Sequence, residues 1–123
     1  LPGGSALVQT ITIDESRFAR YRAGTDFIQQ FIFPGGMLPS PQRFASQANR
    51  AGLTIQDSFA FGADYAETLR RWRTVFEARR ETILQQGFDE RFIRLWRLYL
   101  AYCETGFDAG TTDVYQYHLV RAT

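Results

Sequence analysis

Three residues of this sequence carry side chains that could bind or react: Tyr65, Cys103 and His118. Tyr65 follows Asp64 in the first turn of a predicted helix, where free backbone N–H groups favour an anion that the phenol could also contact. The alternative is a tyrosine packed into the core. His118 lies in a predicted strand without a nearby nucleophile, which favours a structural role. Cys103 lies on an apolar helix face, where a thiol is usually a small buried hydrophobic group.

A cluster of arginines is a further candidate site. All fourteen basic residues are arginines, and five of them lie close together in a predicted helix: Arg70, Arg71, Arg73, Arg79 and Arg80. The cluster could meet anionic lipid headgroups or phosphate. The alternative is a solvated helix face with three glutamates as counter-charges: Glu67, Glu77 and Glu81. Thirteen acidic residues leave a net charge of +1, so nucleic acid is not an expected partner.

The composition excludes several classes of protein. A chain of 123 residues with 45% hydrophobic residues predicts one globular domain. The one cysteine excludes an intramolecular disulfide, which favours a reducing compartment, and one cysteine with one histidine cannot form a Cys/His zinc site. Apolar runs are too short for a membrane-spanning helix, and motifs of nucleotide loops, zinc proteases and serine hydrolases are absent from the sequence. We therefore expect no bound metal.

Three strands are predicted from side-chain patterns. Residues 5–13 are rich in β-branched side chains, and residues 111–120 have bulky side chains on both faces. Between them, apolar residues alternate with polar ones and Asp57 interrupts the apolar set; the alternating residues are Leu53, Ile55, Phe59 and Phe61.

Helices are predicted between the strands. Residues 14–24 are charged and suit a solvated connection or a short helix, after which Thr25 or Asp26 can cap a short helix that stops before Pro34. Ser40 and Pro41 begin a helix that ends at Gly52, with an expected buried face of Phe44, Ala48 and Ala51.

Two longer helices are predicted before the last strand. Asp64 and Glu67 resemble a capping box, and the helix behind them extends to about Gln86. Asp89 caps another helix that extends to about Gly106. The inward side chains expected are Tyr65, Leu69, Trp72 and Phe76 in the first of these helices, and Phe92, Ile93, Trp96, Leu100, Cys103 and Phe107 in the second.

Several segments stand in the same order as in one known family. They are Gln9–Ile11, Phe27–Ser40, Phe61–Trp72, Gly87–Phe92 and Trp96–Cys103, which are distributed between residues 9 and 103. On these segments the chain resembles the cyclopropane-fatty-acyl-phospholipid synthases, S-adenosylmethionine-dependent enzymes related to the mycolic acid cyclopropane synthases.

The resemblance implies an α/β fold, the C-terminal portion of a Rossmann-like class I methyltransferase. The three strands would form a mixed sheet in the order first, third, second, with the third antiparallel between the other two. Residues 1–123 would be a C-terminal fragment without the cofactor-binding half, so S-adenosylmethionine is not expected to bind this chain alone. The open edge at the first strand predicts self-association or strand swapping.

The resemblance also implies a function and a site. Family members transfer a methylene from S-adenosylmethionine to cis double bonds of phospholipid acyl chains, in the cytoplasm at the inner face of the membrane, with bicarbonate as base. The residues Tyr65, Gln9 and Ile11 match the bicarbonate-site positions of the family. Gln9 departs from it, because histidine is common there and an amide cannot carry charge.

Two alternatives to this function remain at the level of the sequence. One keeps the fold and the methyl donor but yields a methylated product without a ring. The other is a non-catalytic module that binds a hydrophobic ligand or a protein.

Overall fold

A three-stranded sheet lies between helices in the computed structural model, which describes residues 1–122. The strands are β1 (Ser5–Ile13), β2 (Leu53–Ala60) and β3 (Thr112–Arg121), in the order β1-β3-β2. Both β1 and β2 pair antiparallel with β3. The predicted order and the antiparallel central strand are confirmed. The sheet is antiparallel throughout these residues rather than mixed, because β1 and β2 share a direction but are not neighbours.

Each connection between strands contains three helices. They are α1 (Glu15–Ala23), α2 (Phe27–Phe31) and α3 (Pro41–Arg50) in the first connection, and α4 (Gly62–Ala78), α5 (Arg80–Gln85) and α6 (Glu90–Asp108) in the second. Two helix starts follow the local signals in the sequence. The carboxylate of Asp26 accepts from the N–H of Gln29 at 2.8 Å, and that of Asp89 accepts from the N–H of Phe92 at 2.8 Å. The predicted cap Asp89 is confirmed, and of the two candidates for the cap of α2, Thr25 and Asp26, the structure has Asp26.

The cap of α3 is the most deeply buried of the predicted caps. Ser40 is 1% exposed, and its Oγ accepts from the N–H of Arg43 at 3.2 Å. We expect Ser40→Ala to lower the free energy of unfolding by about 1 kcal/mol, since a cap is lost at a buried site. Urea unfolding measures this change. Ser46→Ala, on an exposed position of the same helix, is the control; an equal loss in the two variants would contradict a capping role.

The start of α4 differs from the prediction. The helix begins at Gly62, two residues before Asp64, so Asp64 lies inside the first turn and caps nothing. Phe61 is the N-cap residue and its side chain makes no capping bond. The N–H of Gly62 instead donates to Oδ1 of Asp113 in β3 at 2.8 Å. A carboxylate distant in sequence therefore replaces the local cap.

Three further predictions about helices are wrong in detail. Trp72, which is expected to face inward on α4, is 51% exposed. The helix predicted to continue to Gln86 is interrupted at Arg79, which separates α4 from α5. Ala51 is exposed rather than buried, because α3 ends at Arg50. Of the three side chains expected in the core, only Ala48 is fully buried.

A β-bulge changes which side chains of β2 face each layer. The register between β2 and β3 shifts between Ile55 and Asp57. Without the shift Phe59 would share a face with Ile55, whereas with it Phe59 pairs with Gln116 on the opposite face. Phe59 is 61% exposed there. The interruption noted at Asp57 is thus the position where the predicted alternation fails.

Two apolar clusters lie on opposite faces of the sheet, because neighbouring side chains of β3 alternate between its faces. We call one the α4–α6 cluster; its buried members are Ala66, Leu69, Leu100, Phe107 and Val114. The other, the α3 cluster, contains Ala48, Tyr117 and Leu119. This arrangement confirms that the helices beginning near Pro41 and Asp64 pack on the sheet. Among residues 1–122, every helix is too short or too polar to cross a membrane.

Candidate active site

Tyr65 lies at the end of the first turn of α4, against the α4–α6 cluster. Its backbone N–H donates within the helix to the carbonyl of Phe61 at 3.0 Å, so only its phenol is available to a ligand. Its ring is half-buried and packs edge-on against Phe107 at 5.3 Å and Trp72 at 5.9 Å between centroids. Both functions considered from the sequence, core packing and a ligand-facing hydroxyl, are compatible with this position.

The structure brings Ile11 to the same cluster as Tyr65. Ile11 pairs with Val114 in the sheet, and its side chain packs on the α4–α6 cluster. Gln9 lies two residues away on the same face of β1, where it is exposed to solvent. The three predicted residues therefore share one side of the sheet, with Tyr65 and Ile11 at the buried part and Gln9 at the open part.

A neighbouring glutamine fixes the orientation of Gln9. Nε2 of Gln116 donates to Oε1 of Gln9 at 3.0 Å across the β1–β3 ladder. The oxygen of Gln9 is thus engaged, and its NH₂ group donates to no other described residue, so it could donate to a ligand. The sequence analysis did not identify Gln116, because only the strand register makes the two residues partners.

Asp113 is a second residue that the sequence analysis missed. Its Oδ1 accepts from the N–H of Gly62 at 2.8 Å and from its neighbour Val114 at 2.8 Å. A Cβ on Gly62 would lie 2.4 Å from this oxygen. The first turn of α4, which carries Tyr65, is therefore held directly against β3. A glycine at a predicted helix start was the only local signal of this close approach.

A row of aromatic rings follows one face of α6. Successive centroids are 4.4 Å apart between Phe88 and Phe92, 5.6 Å between Phe92 and Trp96, and 5.0 Å between Trp96 and Tyr99. Burial raises the pKa of Tyr99 to about 12. The row thus ends at a neutral phenol in an apolar setting.

Cys103 and His118 do not form a reactive site. Burial raises the pKa of Cys103 to about 11, so its thiol remains protonated near neutral pH. His118 is half-buried in β3, opposite Leu7 and Asp57 in the ladders, and makes no side-chain hydrogen bond to any other described residue. These findings agree with the structural roles favoured for both residues.

Ion pairs occupy much of the arginine cluster. Arg70 contacts Glu67 and Asp108, each at 2.9 Å, and Arg73 lies 3.2 Å from Glu104. Hydrogen bonds from Arg70, and then from Arg71, hold the pKa of Glu67 below its usual value. The arrangement supports the solvated, charge-paired face. Its glutamates differ in part from those expected, since Glu77 pairs with Arg97 in α6.

The described residues contain neither a cluster of metal-ligating side chains nor the glycine-rich loop that usually holds a nucleoside. No group of three metal-ligating side chains occurs among residues 1–122. A nucleoside is usually held by a glycine-rich loop between a strand and a helix. The two strand-to-helix connections are Asp14 and Phe61, and neither contains such a loop.

Comparisons with known proteins relate the whole sheet to lipid-modifying enzymes. The chain is 46% identical over 121 residues to the tuberculostearic acid methyltransferase UfaA1 of Mycobacterium tuberculosis, covering 98% of this chain and 28% of that protein. It is 36% identical over 90 residues to the cyclopropane-fatty-acyl-phospholipid synthase of Escherichia coli K12, covering 73% and 23%. The chain thus spans about a quarter of the length of these relatives.

A solved structure has the same fold. The mycolic acid cyclopropane synthase CmaA1 complexed with SAH and CTAB superposes with a TM-score of 0.82 at 29% identity, covering 97% of this chain and 45% of that one. The fold is accordingly that of the C-terminal part of a class I methyltransferase. The family model of the mycolic acid cyclopropane synthetases matches residues 1–117. Since this match includes all three strands and six helices except the end of β3, the chain belongs to the mycolic acid cyclopropane synthetase family.

Proposed function

We propose that this chain is the C-terminal part of an enzyme that transfers a methylene from S-adenosylmethionine to cis double bonds of phospholipid acyl chains, forming cyclopropane fatty acids. The observation that carries the proposal is the convergence of Tyr65 and Ile11 on one apolar cluster, in a chain that matches this family over residues 1–117. Both residues match the family's bicarbonate-site positions. The phenol of Tyr65 would donate to the anion, which would sit where the apolar cluster meets solvent.

The product follows from where a proton is lost. The methyl group of S-adenosylmethionine would bond to one alkene carbon as its bond to sulfur breaks, releasing S-adenosylhomocysteine and leaving a positive charge on the other alkene carbon. If the added carbon then loses a proton to the base, its electron pair closes a three-membered ring. If a neighbouring chain carbon loses the proton, the product is a methyl-branched alkene. Both routes release one proton, and both products are heavier than the substrate by one CH₂.

The aromatic row on α6 supports an oily, cation-tolerant site. Ring faces stabilise a nearby positive charge, and an apolar wall excludes the water that would otherwise capture it. Phe92, Trp96 and Tyr99 offer such a wall on the helix that also carries Phe107, which touches Tyr65. An acyl chain along this row would bring its double bond towards the phenol.

The remaining parts of the enzyme would lie outside residues 1–123. We infer that the segment holding S-adenosylmethionine precedes β1, in keeping with a chain that covers 45% of the CmaA1 structure. The outer edge of β1 pairs with no other described residue, and Leu7 on this strand is 70% exposed. That edge would pair with a strand of the preceding segment or, in the isolated chain, with a second copy.

A second candidate keeps the methyl transfer but omits the ring. The relative with 46% identity over 98% of the chain is named a methyltransferase, whereas the cyclopropane synthase has 36% identity over 73%. Gln9 in place of histidine also changes the charge that the site can carry near the base. These observations favour a methyl-branched product as the alternative.

Lipid analysis of cells expressing the full-length gene tests both candidates. A gain of one CH₂ in unsaturated acyl chains supports the transfer, and mild hydrogenation then separates the products. A ring survives it without a change in mass, whereas a branched alkene takes up two hydrogens. Ring-containing products support cyclopropanation, and branched alkenes favour the second candidate. If acyl chains remain unchanged despite abundant folded protein, a non-catalytic binding module becomes the better explanation.

A further inference from the structure

The α2–α3 loop, counted here with Phe31 at the end of α2, carries three half-exposed apolar side chains. Phe31 and Phe33 are each 54% exposed and Met37 is 51% exposed, all within seven residues of one another. Single exposed apolar residues are common on proteins. Three so close together suit contact with a partner that is polar at its surface and apolar below that surface.

Hydrogen bonds hold this loop in its outward conformation. Nε2 of Gln29 donates to the carbonyl of Gly36 at 2.8 Å, and the N–H of Leu38 donates to the phenol of Tyr21 in α1 at 2.9 Å. The loop is therefore held at Gly36 and at Leu38, and Leu38 joins it to the last turn of α1. Arg20 and Arg22, which flank Tyr21, are exposed beside it.

Positive charge is concentrated in this part of the chain. We call residues 16–56 the basic segment: it contains five arginines and one acidic residue, Asp26, whereas the remaining residues contain nine arginines and twelve acids. Asp26 is engaged in capping α2. The ion pairs found in residues 1–122 all involve arginines outside the basic segment. Arg43 lies partly buried over the ring of Phe18, whereas the other four arginines of the segment are exposed and, unlike the arginine cluster, pair with no carboxylate among residues 1–122.

We propose that the α2–α3 loop and the last turn of α1 form a docking surface for an anionic lipid bilayer. Phe31, Phe33 and Met37 would enter the headgroup region, and Arg20 and Arg22 would meet lipid phosphates. This inference rests on the proposed function in that it locates the lipid surface from which the acyl chain is taken. The charge favours a bilayer with anionic lipids over a neutral one.

Vesicle binding by the full-length protein tests the charged part of this surface. In co-sedimentation with phosphatidylglycerol-containing vesicles, we expect Arg20→Gln with Arg22→Gln to weaken binding about 25-fold, since each arginine near an anionic surface contributes about 1 kcal/mol. The loss should shrink as salt is raised. Arg91→Gln with Arg94→Gln is the matched control, because both are exposed and lie outside the basic segment. Equal binding by the Arg20/Arg22 variant and the parent would overturn the proposal.

A second double variant tests the apolar part of the docking surface. Phe31→Gln with Met37→Gln should weaken binding at any salt concentration, whereas Leu98→Gln, at a position 52% exposed on α6, should not. The full-length protein could instead fail to bind vesicles and bind an acidic carrier protein through the same arginines. In that case the surface is a protein-binding site and the bilayer proposal is wrong.

Turnover on detergent-dispersed substrate separates this inference from the proposed function. Variants that lose vesicle binding but retain turnover on dispersed lipid support a docking role. The opposite result is also possible: the parent protein binds vesicles without any transfer activity, and both double variants lose this binding. That result would support the docking surface and refute the proposed function.

Discussion

Replacing Tyr65 by phenylalanine is expected to slow transfer to the acyl chain by a factor of about 10²–10³ in the full-length enzyme. The change removes one hydroxyl donor from the proposed anion site, and removal of a single such donor typically has an effect of this size. The ring would keep its packing against Phe107 and Trp72, so the fold should survive. Turnover measured under saturating substrate and donor checks the prediction.

Tyr102→Phe is the matched control for this experiment. Tyr102 is 43% exposed, and its phenol donates to Asp26 at 3.4 Å, outside the α4–α6 cluster. It should retain nearly full turnover. If Tyr65→Phe is as active as this control, Tyr65 is a packing residue and the proposed site must be abandoned. Thermal unfolding of both variants separates a lost donor from a lost fold.

The accuracy of the sequence-based predictions depended on how local the determining contacts are. Asp26, Ser40 and Asp89 were predicted as caps because each satisfies a backbone N–H only three residues away. Strand order came from the family resemblance, and the antiparallel register then brought Ile11 beside Val114. Neither kind of prediction required knowledge of an unforeseen partner.

Predictions failed where the determining partner was remote. The start of α4 was misplaced because its cap, Asp113, lies 51 residues from Gly62. Phe59 was assigned to the wrong face because a bulge can be located only against the partner strand. The interruption at Arg79 has no glycine or proline to signal it. We have no physical account of that break.

The face on which Phe59 lies also affects the candidate site. The face of the sheet that packs against Tyr65 has a row of three paired side chains, which are Gln9, Gln116 and Phe59. Phe59 stacks on Phe61 at 5.5 Å between centroids. The bulge thus extends an aromatic surface to the open part of the site, beside the only polar side chains of that row. Had β2 alternated regularly, this position would have held Ser58 instead.

Gly62→Ala is expected to lower the free energy of unfolding by about 1–3 kcal/mol, the usual cost of overpacking. A methyl group here would lie 2.4 Å from Oδ1 of Asp113 and 3.1 Å from its Cα. The carboxylate could rotate away, but the backbone could not. Alanine is otherwise the better helix residue by about 1 kcal/mol, so a net loss would itself indicate the close contact. Urea unfolding measures the change.

Gly24→Ala is the control for Gly62→Ala, because its new methyl would meet only the carbonyl of Arg20 at an ordinary 3.5 Å. In the full-length enzyme, Gly62→Ala should also reduce turnover by about a hundredfold, since a displacement of about 1 Å at a reacting group can cost that much. Adding Asp113→Ala should not restore stability, because the contact with Cα persists and the N–H of Gly62 loses the carboxylate that caps α4. A stable, fully active Gly62→Ala enzyme would mean that β3 does not set the position of α4. Tyr65 would then owe its place to the aromatic rings around it.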